Sequence, residues 1–343
     1  MVMYRKKRTF EDRNQSIMTR RLTFLSLSLL IPILAWGQES TSVFNFLSLP
    51  TSAHATALGG RSISLIEDDA SLIFQNPALL SSVSNNSMNL NFMTYMRGSK
   101  TGSASYARLH GERGTWGAGV QFVGYGSMTE TMETGEILGD AKALDMAING
   151  MYSYNLSEYW AGGATGKIIY SKYADYTSVG LAVDLGLSYY NEDNDLSFAA
   201  VAANLGGQVK AFGDDHERLP FNLQFGFTKG MGHAPIRFSL TMSDFTHWSS
   251  KYFYHVDKKP KGGSIFMNHF NLGIDIIPTD QFYVAAGYNF RRAYEMKAAG
   301  SSHAAGLSCG AGVNLKKFKL GLAYAKYHVS SPTLSFSVSY SLQ

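Results

Sequence analysis

The sequence predicts an all-β fold: a transmembrane antiparallel β-barrel of about 14 strands with an N-terminal plug. Apolar and polar residues alternate along one short segment after another from about Met88 to Gln343. A strand that alternates in this way has one apolar and one polar face. The connections are alternately short and long, which is typical of a barrel with periplasmic turns and longer outer loops. The last segment alternates up to the end, as expected if the final strand closes the barrel.

The alternation fixes which side chains face lipid. Residues Phe270, Leu272, Ile274 and Ile276 alternate with His269, Asn271, Gly273 and Asp275. A slip of one residue would move an imidazole and a carboxylate into hydrocarbon, so the pattern specifies the register strongly. The same alternation runs through 179–189, 221–228 and 334–342.

The periodicity divides the barrel into about 14 strands, an even number that brings both of its ends to the same side of the membrane. The predicted strands are 87–97, 102–110, 114–124, 143–154, 159–172, 177–190, 195–205, 219–229, 235–245, 265–277, 281–290, 304–315, 318–327 and 333–342. The joints between alternate pairs are tight and contain turn-forming residues. The longer connections, predicted to be the cell-surface loops, lie at about 125–142, 206–218, 246–264 and 291–303.

The composition agrees with a barrel and disfavours a nucleic-acid partner. The chain has 34 Gly, 20 Tyr, 21 Phe and 16% charged residues, which suits small lumen residues and aromatic girdles. The formal charge of +4 comes from residues 1–37, which hold seven basic and two acidic residues; the rest holds 23 basic and 24 acidic residues. A nucleic-acid-binding protein would carry a basic surface instead.

The N-terminus predicts export. Arg20 and Arg21 precede an apolar run at 22–35, and Ala35-Trp36-Gly37 supplies small residues for cleavage. We expect a signal peptide at 1–37, with Met18 as an alternative start that would make 1–17 a mis-called extension. Residues 38–86 are expected to form a plug, or hatch, in the lumen, and 87–343 to form an outer-membrane barrel. The alternative for 38–86 is a periplasmic segment packed under the barrel.

The motifs that could carry chemistry fail on their context. Gly306-Leu307-Ser308-Cys309-Gly310 matches the G-x-S-x-G nucleophile motif, but a strand is predicted to run through it without the required strand-turn-helix elbow. The nine histidines lack the spacing of a metal site. We therefore predict no catalytic, cofactor-binding or metal-binding residues, and no enzyme.

One predicted outer loop, 246–264, is rich in aromatic residues and lysines. Aromatic residues beside cations are typical of the anchors of protein interfaces. The candidate partner-binding residues are Trp248, Lys251, Tyr252, Phe253 and Tyr254. The alternative is an aromatic girdle at the outer interface of the membrane, with the lysines contacting lipopolysaccharide phosphates.

A family resemblance rests on the predicted plug. The runs 46–50 (FLSLP), 57–60 (ALGG), 68–72 (DDASL) and 75–80 (QNPALL) resemble the N-terminal signature of the PorV/PorQ family of type IX secretion outer-membrane proteins, found in the Bacteroidetes and their relatives. That family in turn resembles the FadL-type barrels of fourteen strands with an N-terminal hatch. The triplet Asn76-Pro77-Ala78 is similar to the hatch motif of this wider group, which makes it the candidate plug motif.

The resemblance implies a barrel of the type IX secretion system that anchors a surface protein. The implied partner is a PorZ-like protein of the cargo-attachment complex, with PorU or PorV as further partners, besides outer-membrane lipid and lipopolysaccharide. The alternative is a FadL-like transporter of hydrophobic compounds. Such a transporter needs an apolar pocket. The predicted lumen-facing positions, mostly Gly, Ala, Ser, Asn and Asp, disfavour one unless the plug supplies the apolar lining.

Overall fold

A computed structural model describes residues 42–95, 98–131, 137–255, 259–301, 303–329 and 331–342. The chain divides into two units, Met1–Glu39 and Ser40–Gln343, and the described residues belong to the second. The predicted signal peptide lies outside the described residues. The start of the predicted plug, 38–41, lies outside them as well.

Fourteen strands, all within the described part of the chain, form a closed antiparallel barrel in which each strand pairs with its sequence neighbours and β1 pairs with β14. The strands are β1 (Ser87–Thr94), β2 (Lys100–His110), β3 (Gly114–Thr131), β4 (Ile137–Asn155), β5 (Trp160–Tyr173), β6 (Tyr176–Asn191), β7 (Leu196–Lys210), β8 (Asn222–Gly230), β9 (Ile236–Met242), β10 (Phe270–Thr279), β11 (Phe282–Asn289), β12 (Leu307–Leu315), β13 (Phe318–His328) and β14 (Ser331–Ser341). The predicted fold class and strand order are confirmed.

The predicted facing is also confirmed. In β10, Leu272 and Ile276 are exposed on the outer surface, whereas Asn271 and Asp275 are buried in the lumen. The same separation holds along β6 and β14. Apolar side chains therefore meet acyl chains, and the polar row must find its partners inside the barrel.

The predicted loop at 125–142 is wrong over most of its length. Strand β3 continues to Thr131 and β4 begins at Ile137, so the two strands form a tall hairpin. Register shifts at Gly124/Ser127 and at Glu130/Thr131 interrupt the pairing. Such bulges add an unpaired residue and break the two-residue period. The extension therefore left no alternation for the sequence analysis to detect.

Short helices occur in the plug and in two outer loops. The plug contains α1 (Ala53–Ala57) and the 3-10 helices Asn45–Ser48, Leu72–Phe74 and Pro77–Ser82; the outer loops contain α2 (Gly262–Met267) and α3 (Phe290–Ala298), besides the 3-10 helices Ser250–Tyr252 and His303–Gly306. None of the helices in the described residues has the length and apolar character to cross a membrane.

The predicted strand starts at 265 and 304 are consequently wrong. Residues 265–267 belong to α2 and 304–306 to a 3-10 helix, so β10 and β12 begin later. Helix α3 begins abruptly because the Asn289 side chain accepts a hydrogen bond from the Arg292 N–H and caps the helix.

The plug packs against the inner face of the wall at glycine positions. We call these positions glycine notches, because a side chain there would overlap the plug. Gly163 of β5 and Gly186 of β6 are cross-strand partners. A Cβ atom at Gly163 would lie 2.4 Å from the carbonyl carbon of Pro77, and one at Gly186 would lie 2.1 Å from Asn76 Oδ1. On the opposite side, a Cβ atom at Gly287 would lie 2.3 Å from the Gly59 nitrogen. Only glycine lets the two backbones approach so closely.

We predict that Gly163→Ala displaces the plug and lowers stability by roughly 1–3 kcal/mol, because the new methyl overlaps plug backbone. The matched control is Gly166→Ala on the same strand, where an added Cβ atom meets nothing within 4 Å. Thermal unfolding and proteolysis of the plug in the purified barrel provide the measurements. Equal behaviour of the two variants would show that the notch does not seat the plug.

Candidate functional site

Four charged side chains join the plug to the wall at one point in the lumen. His54 Nδ1 lies 2.9 Å from Glu67 Oε2, and His54 Nε2 lies 2.7 Å from Asp275 Oδ1. Arg237 Nη2 lies 2.5 Å from Glu67 Oε1, and Arg237 Nε donates to Asp275 Oδ2 at 3.0 Å. We call these four residues the charge quartet. Each carboxylate contacts both cations, so the charges balance when His54 is protonated.

Plug and wall each contribute two members of the charge quartet. His54 lies on α1 and Glu67 lies further along the plug, whereas Arg237 and Asp275 are cross-strand partners on β9 and β10. The Tyr283 ring stacks on the His54 imidazole with 3.9 Å between centroids. His54 is 3% exposed and Asp275 is fully buried, so little water screens the contact.

The ionisation of His54 and Glu67 stabilises the plug in contact with the wall, which we call the docked state. Burial opposes a charge on His54, but the Glu67 and Asp275 carboxylates outweigh it and raise the pKa of His54 to about 10. Burial likewise opposes the charge on Glu67, but His54 and Arg237 lower the pKa of that carboxyl well below its ordinary 4.5. His54 thus stabilises docking fully below its ordinary pKa of 6.5 and loses this effect as pH rises through about 10. The Glu67 contribution is complete above pH 4.5 and declines as pH falls.

Serine hydroxyls of the wall satisfy the plug backbone. Ser337 Oγ accepts a hydrogen bond from the Ala53 N–H at 2.9 Å, and Ser105 Oγ donates to the Ala70 carbonyl at 2.7 Å. Ser308 Oγ, the serine of the G-x-S-x-G match, donates to the Ala57 carbonyl at 2.8 Å. It lies in β12 at a lumen-facing position, so its described role is to hold the plug.

The candidate plug motif lies at the glycine notch. Asn76 Oδ1 accepts from the Ala78 N–H at 3.0 Å and caps the 3-10 helix, while Asn76 Nδ2 donates to the Ile63 carbonyl at 2.8 Å. Pro77 begins the helix and, like Ala78, is buried. The triplet therefore forms a rigid turn against β5 and β6. Its assignment as a functional hatch motif stays a prediction.

The outer half of the lumen holds an apolar cluster, which we call the apolar chamber. Its wall residues come from β3 to β6 and from the connection before β8, and plug residues fill its centre. The buried members are Val43, Phe44, Phe46, Val123, Ala147, Ile169, Ala182 and Leu219, with Leu47, Leu49, Tyr125 and Phe212 packed against them. In this half the small and polar residues predicted for most lumen-facing positions are joined by Val123, Tyr125 and Ile169 of the wall. The plug and the connection before β8 supply the other large apolar side chains.

The wall beside the apolar chamber is irregular. Strand β8 begins at Asn222, which pairs with Ala203 of β7, while β7 itself continues to Lys210 along β6. Asn204 adopts a left-handed φ of 60°, which bends β7 at this level. In the described pairings, 204–210 thus hydrogen-bond to a strand on one side only.

Ionic contacts and aromatic packing hold together the connections at the outer ends of β9 to β12. We define their described residues, 243–255, 259–269, 290–301 and 303–306, as the lid. Arg291 Nη1 donates to Asp244 Oδ2 at 2.9 Å and to the Tyr252 hydroxyl at 3.0 Å. Tyr252 donates in turn to Asp244 Oδ1 at 3.0 Å. Burial and then the Asp244 charge raise the pKa of Tyr252 to about 12. Arg291 also lies 4.4 Å above the Tyr252 ring.

The candidate partner-binding residues separate into two groups. Trp248 and Tyr254 are 44% and 54% exposed, and Lys251 is exposed as well. Phe253 is 1% exposed, and its ring packs against Tyr252 and His269. Phe253 and Tyr252 therefore form the interior of the lid, contrary to an arrangement in which all five side chains offer a surface. Partner binding by this loop stays a prediction.

A polar cavity of about 200 Å³ lies beside the charge quartet. Its wall residues include Tyr283, Asn314, Lys319 and Ser339, each a few residues from a short turn, so the cavity lies toward the periplasmic end. Within the described ranges, no group of three or more His, Cys, Asp or Glu side chains could hold a metal ion.

We predict that His54→Gln lowers the free energy of unfolding by about 3 kcal/mol, because it leaves the fully buried Asp275 and the partly buried Glu67 with one cation between them. The matched control is Lys319→Gln. Lys319 Nζ also joins wall to plug, 3.3 Å from Asp68 Oδ2, but both side chains are about a third exposed, so the cost there is below about 1 kcal/mol. Denaturant unfolding measures both variants, and similar costs would contradict a central role for the charge quartet.

The fold is similar to that of outer-membrane channels. No protein-family model matches the sequence, and no curated protein matches it. The structure is similar to the toluene transporter TodX of Pseudomonas putida, with a TM-score of 0.54 and 14% identity over 88% of this chain and 99% of that one. The monoaromatic hydrocarbon channel CymD has a TM-score of 0.53 and 12% identity, over 87% of this chain and 98% of its own.

A FadL homologue of Pseudomonas aeruginosa has a TM-score of 0.51 and 12% identity, over 85% of this chain and 98% of its own. At such identities the likeness establishes the fold alone. Together with the closed fourteen-stranded wall and its apolar outer face, it places the protein in the outer membrane, as predicted. The chain is an outer-membrane β-barrel with a FadL-like fold.

Proposed function

We propose that the barrel passes small hydrophobic compounds across the outer membrane. The observation that carries the proposal is the apolar chamber, a cluster of aromatic and aliphatic plug and wall residues in the outer half of the lumen. Ligand pockets are mostly apolar with a few polar groups. The similar folds are described as a toluene transporter and a hydrocarbon channel, which agrees in substrate class.

We expect a substrate to displace residues 43–49, the part of the plug that fills the apolar chamber. Phe44 has a left-handed φ of 60°, an uncommon conformation for an aromatic residue. Its ring lies in a notch of β6, where a Cβ atom at Gly180 would be 2.6 Å from Phe44 Cε2. Residues 43–49 meet the wall through apolar packing and one backbone bond, from Val43 N–H to the Arg218 carbonyl. A hydrophobic solute offers the chamber the same kind of contact.

The irregular wall supplies a route from the chamber to the lipid. The unpaired side of β7 beyond Ala203 adjoins the chamber, and Leu219 of the following connection is a chamber residue. A gap in strand pairing at this level allows an apolar solute to leave sideways without crossing the polar plug below. The buried Lys167–Asp184 pair, with 2.6 Å between Nζ and Oδ2, holds β5 and β6 together beneath the gap.

We predict that a reversible disulfide between the 53–80 half of the plug and the wall leaves transport intact, because the proposed route displaces only residues 43–49. In Ala53→Cys with Gly321→Cys the Cβ atoms would lie 3.3 Å apart, close to the usual 3.5–4.5 Å, and Cys309→Ser removes the native thiol. Uptake of radiolabelled toluene and a long-chain fatty acid by vesicles should be saturable and equal before and after oxidation.

The matched control is Gly321→Cys alone in the same Cys309→Ser background, which has no second cysteine with which to form a disulfide. Its uptake should not respond to oxidation. Absence of saturable uptake by the reduced protein, or uptake that falls when the plug disulfide forms, would count against the proposed route.

A second candidate function is the anchoring of a surface protein of a type IX secretion system, such as a PorZ-like protein. The observation that favours it is the ordered lid, because the Asp244–Arg291–Tyr252 contacts hold Tyr254 exposed at the outer mouth. An exposed tyrosine on a fixed loop is a typical interface anchor, since little side-chain entropy is lost on binding.

For the anchoring function we predict that Tyr254→Ser releases the PorZ-like protein from cells into the medium. The matched control is Tyr176→Ser, since Tyr176 is 65% exposed at the outer end of β6, away from the lid. Immunoblots of the cell and medium fractions give the readout, with a loss of roughly tenfold or more in retention expected for a hot-spot tyrosine. Retention that is the same in both variants would exclude this anchor.

A further inference from the structure

The wall of the barrel is shortest at β9, which has seven residues against nineteen in β4. Seven residues tilted by about 40° rise about 18 Å along the barrel axis, less than the roughly 25 Å of a typical apolar band. The outer end of β9 is Met242, which pairs with Phe225 of β8 and with Phe270 of β10. Above Met242 the wall alone would leave acyl chains against polar backbone.

Three lid side chains cover this position. The ring of Phe245 lies 5.2 Å from Phe225 and 5.8 Å from Trp248, and Phe266 lies 6.4 Å from Trp248 and 5.0 Å from Phe270. We call Phe245, Trp248 and Phe266 the aromatic bridge, because they connect the outward faces of β8 and β10 over the end of β9. They are 37%, 44% and 49% exposed.

The aromatic bridge is continuous with the surface that already faces lipid. Phe225 and Phe270 belong to the alternating outward rows of their strands, and Met267 beside the bridge is 39% exposed. Aromatic residues favour the membrane interface, where an apolar ring meets a polar boundary. A water-exposed patch of this kind would be costly on a monomer.

The charges around the aromatic bridge suit an anionic headgroup. Lys259 and Lys261 are exposed just before α2, which carries Phe266. In the described part of the same loop, the acidic Asp244 is buried and paired with Arg291. Lysine stems lie along apolar surface while their ammonium groups reach phosphate.

We propose that the aromatic bridge, with Lys259 and Lys261, binds anionic phosphate-bearing lipid of the outer leaflet. The acyl chains contact Phe245, Trp248 and Phe266, and the lysines contact the phosphates. The bridge also supports the lid, since the Trp248 ring lies 4.2 Å from His269, which is fully buried and packs on Phe253. The lipid-binding proposal does not rest on either proposed function.

Tryptophan fluorescence tests the proposal directly. Replacing Trp36, Trp116 and Trp160 by phenylalanine leaves Trp248 as the single tryptophan. In vesicles of phosphatidylcholine, we expect phospholipids brominated on their acyl chains to quench its emission, and aqueous iodide to quench it little. The position control is Tyr254→Trp with Trp248→Phe in the same background, which should show the reverse, since Tyr254 is 54% exposed on the same loop. Quenching of Trp248 by iodide and not by bromolipid would overturn the proposal.

The lysine contribution has a separate readout in the same protein. Brominated phosphatidylglycerol, titrated into phosphatidylcholine vesicles, reports the relative affinity for an anionic phosphate lipid. Lys259→Gln with Lys261→Gln should weaken this affinity roughly 30-fold. The control is Lys297→Gln, an exposed lysine on α3 that should leave the affinity unchanged. Equal titrations of the double variant and the parent would exclude phosphate recognition by these lysines.

Discussion

Every second side chain of the wall faces inward, and the polar groups of this inner row need partners that lipid cannot supply. The plug provides partners for several of these groups, and several wall side chains satisfy the plug backbone in return. Ser105, Ser308 and Ser337 each hydrogen-bond to main-chain atoms of the plug. The charge quartet extends the same reciprocity to ionised groups, because two of its members are on the plug and two on the wall. Neither part would be satisfied without the other.

Hydrogen bonds of normal length require the two backbones to be close, which explains the glycines of the lumen. At Gly163, Gly186 and Gly287 a methyl group would overlap plug atoms. On the outer face of the barrel the problem is a gap instead of a close approach. Strand β9 is too short to cover the apolar band, and aromatic rings of the lid fill the space above Met242. Side-chain size along the barrel therefore follows the gap to be filled on each face.

The sequence predicted the wall well because strand pairing in this barrel is between neighbours in the chain, and alternation is a local signal. It predicted that Asp275 faces the lumen but could not identify its partner. His54 is 221 positions away along the chain, and the path of an irregular plug sets that contact. The lid residues follow neither helix nor strand periodicity, so their burial could not be predicted from the sequence. Phe253 is buried because it packs against His269. The position of the apolar chamber could not be predicted, because an irregular plug segment supplies Phe44 and Phe46, and bulges and a connection bring in Tyr125 and Leu219.

The plug is attached unevenly, and this asymmetry determines how the lumen can open. Residues from Ala53 to Leu80 are held by the charge quartet, by serine hydroxyls and by glycine notches, all of which lose specific geometry on movement. Residues 43–49 rest mainly on apolar contacts, which are not directional and which a hydrophobic solute replaces at little cost. Opening therefore costs least in the outer half, beside the irregular pairing of β7. On the proposed route, a solute reaches the bilayer from this half without displacing the charged half of the plug, so the charge quartet can stay intact while a hydrophobic compound passes.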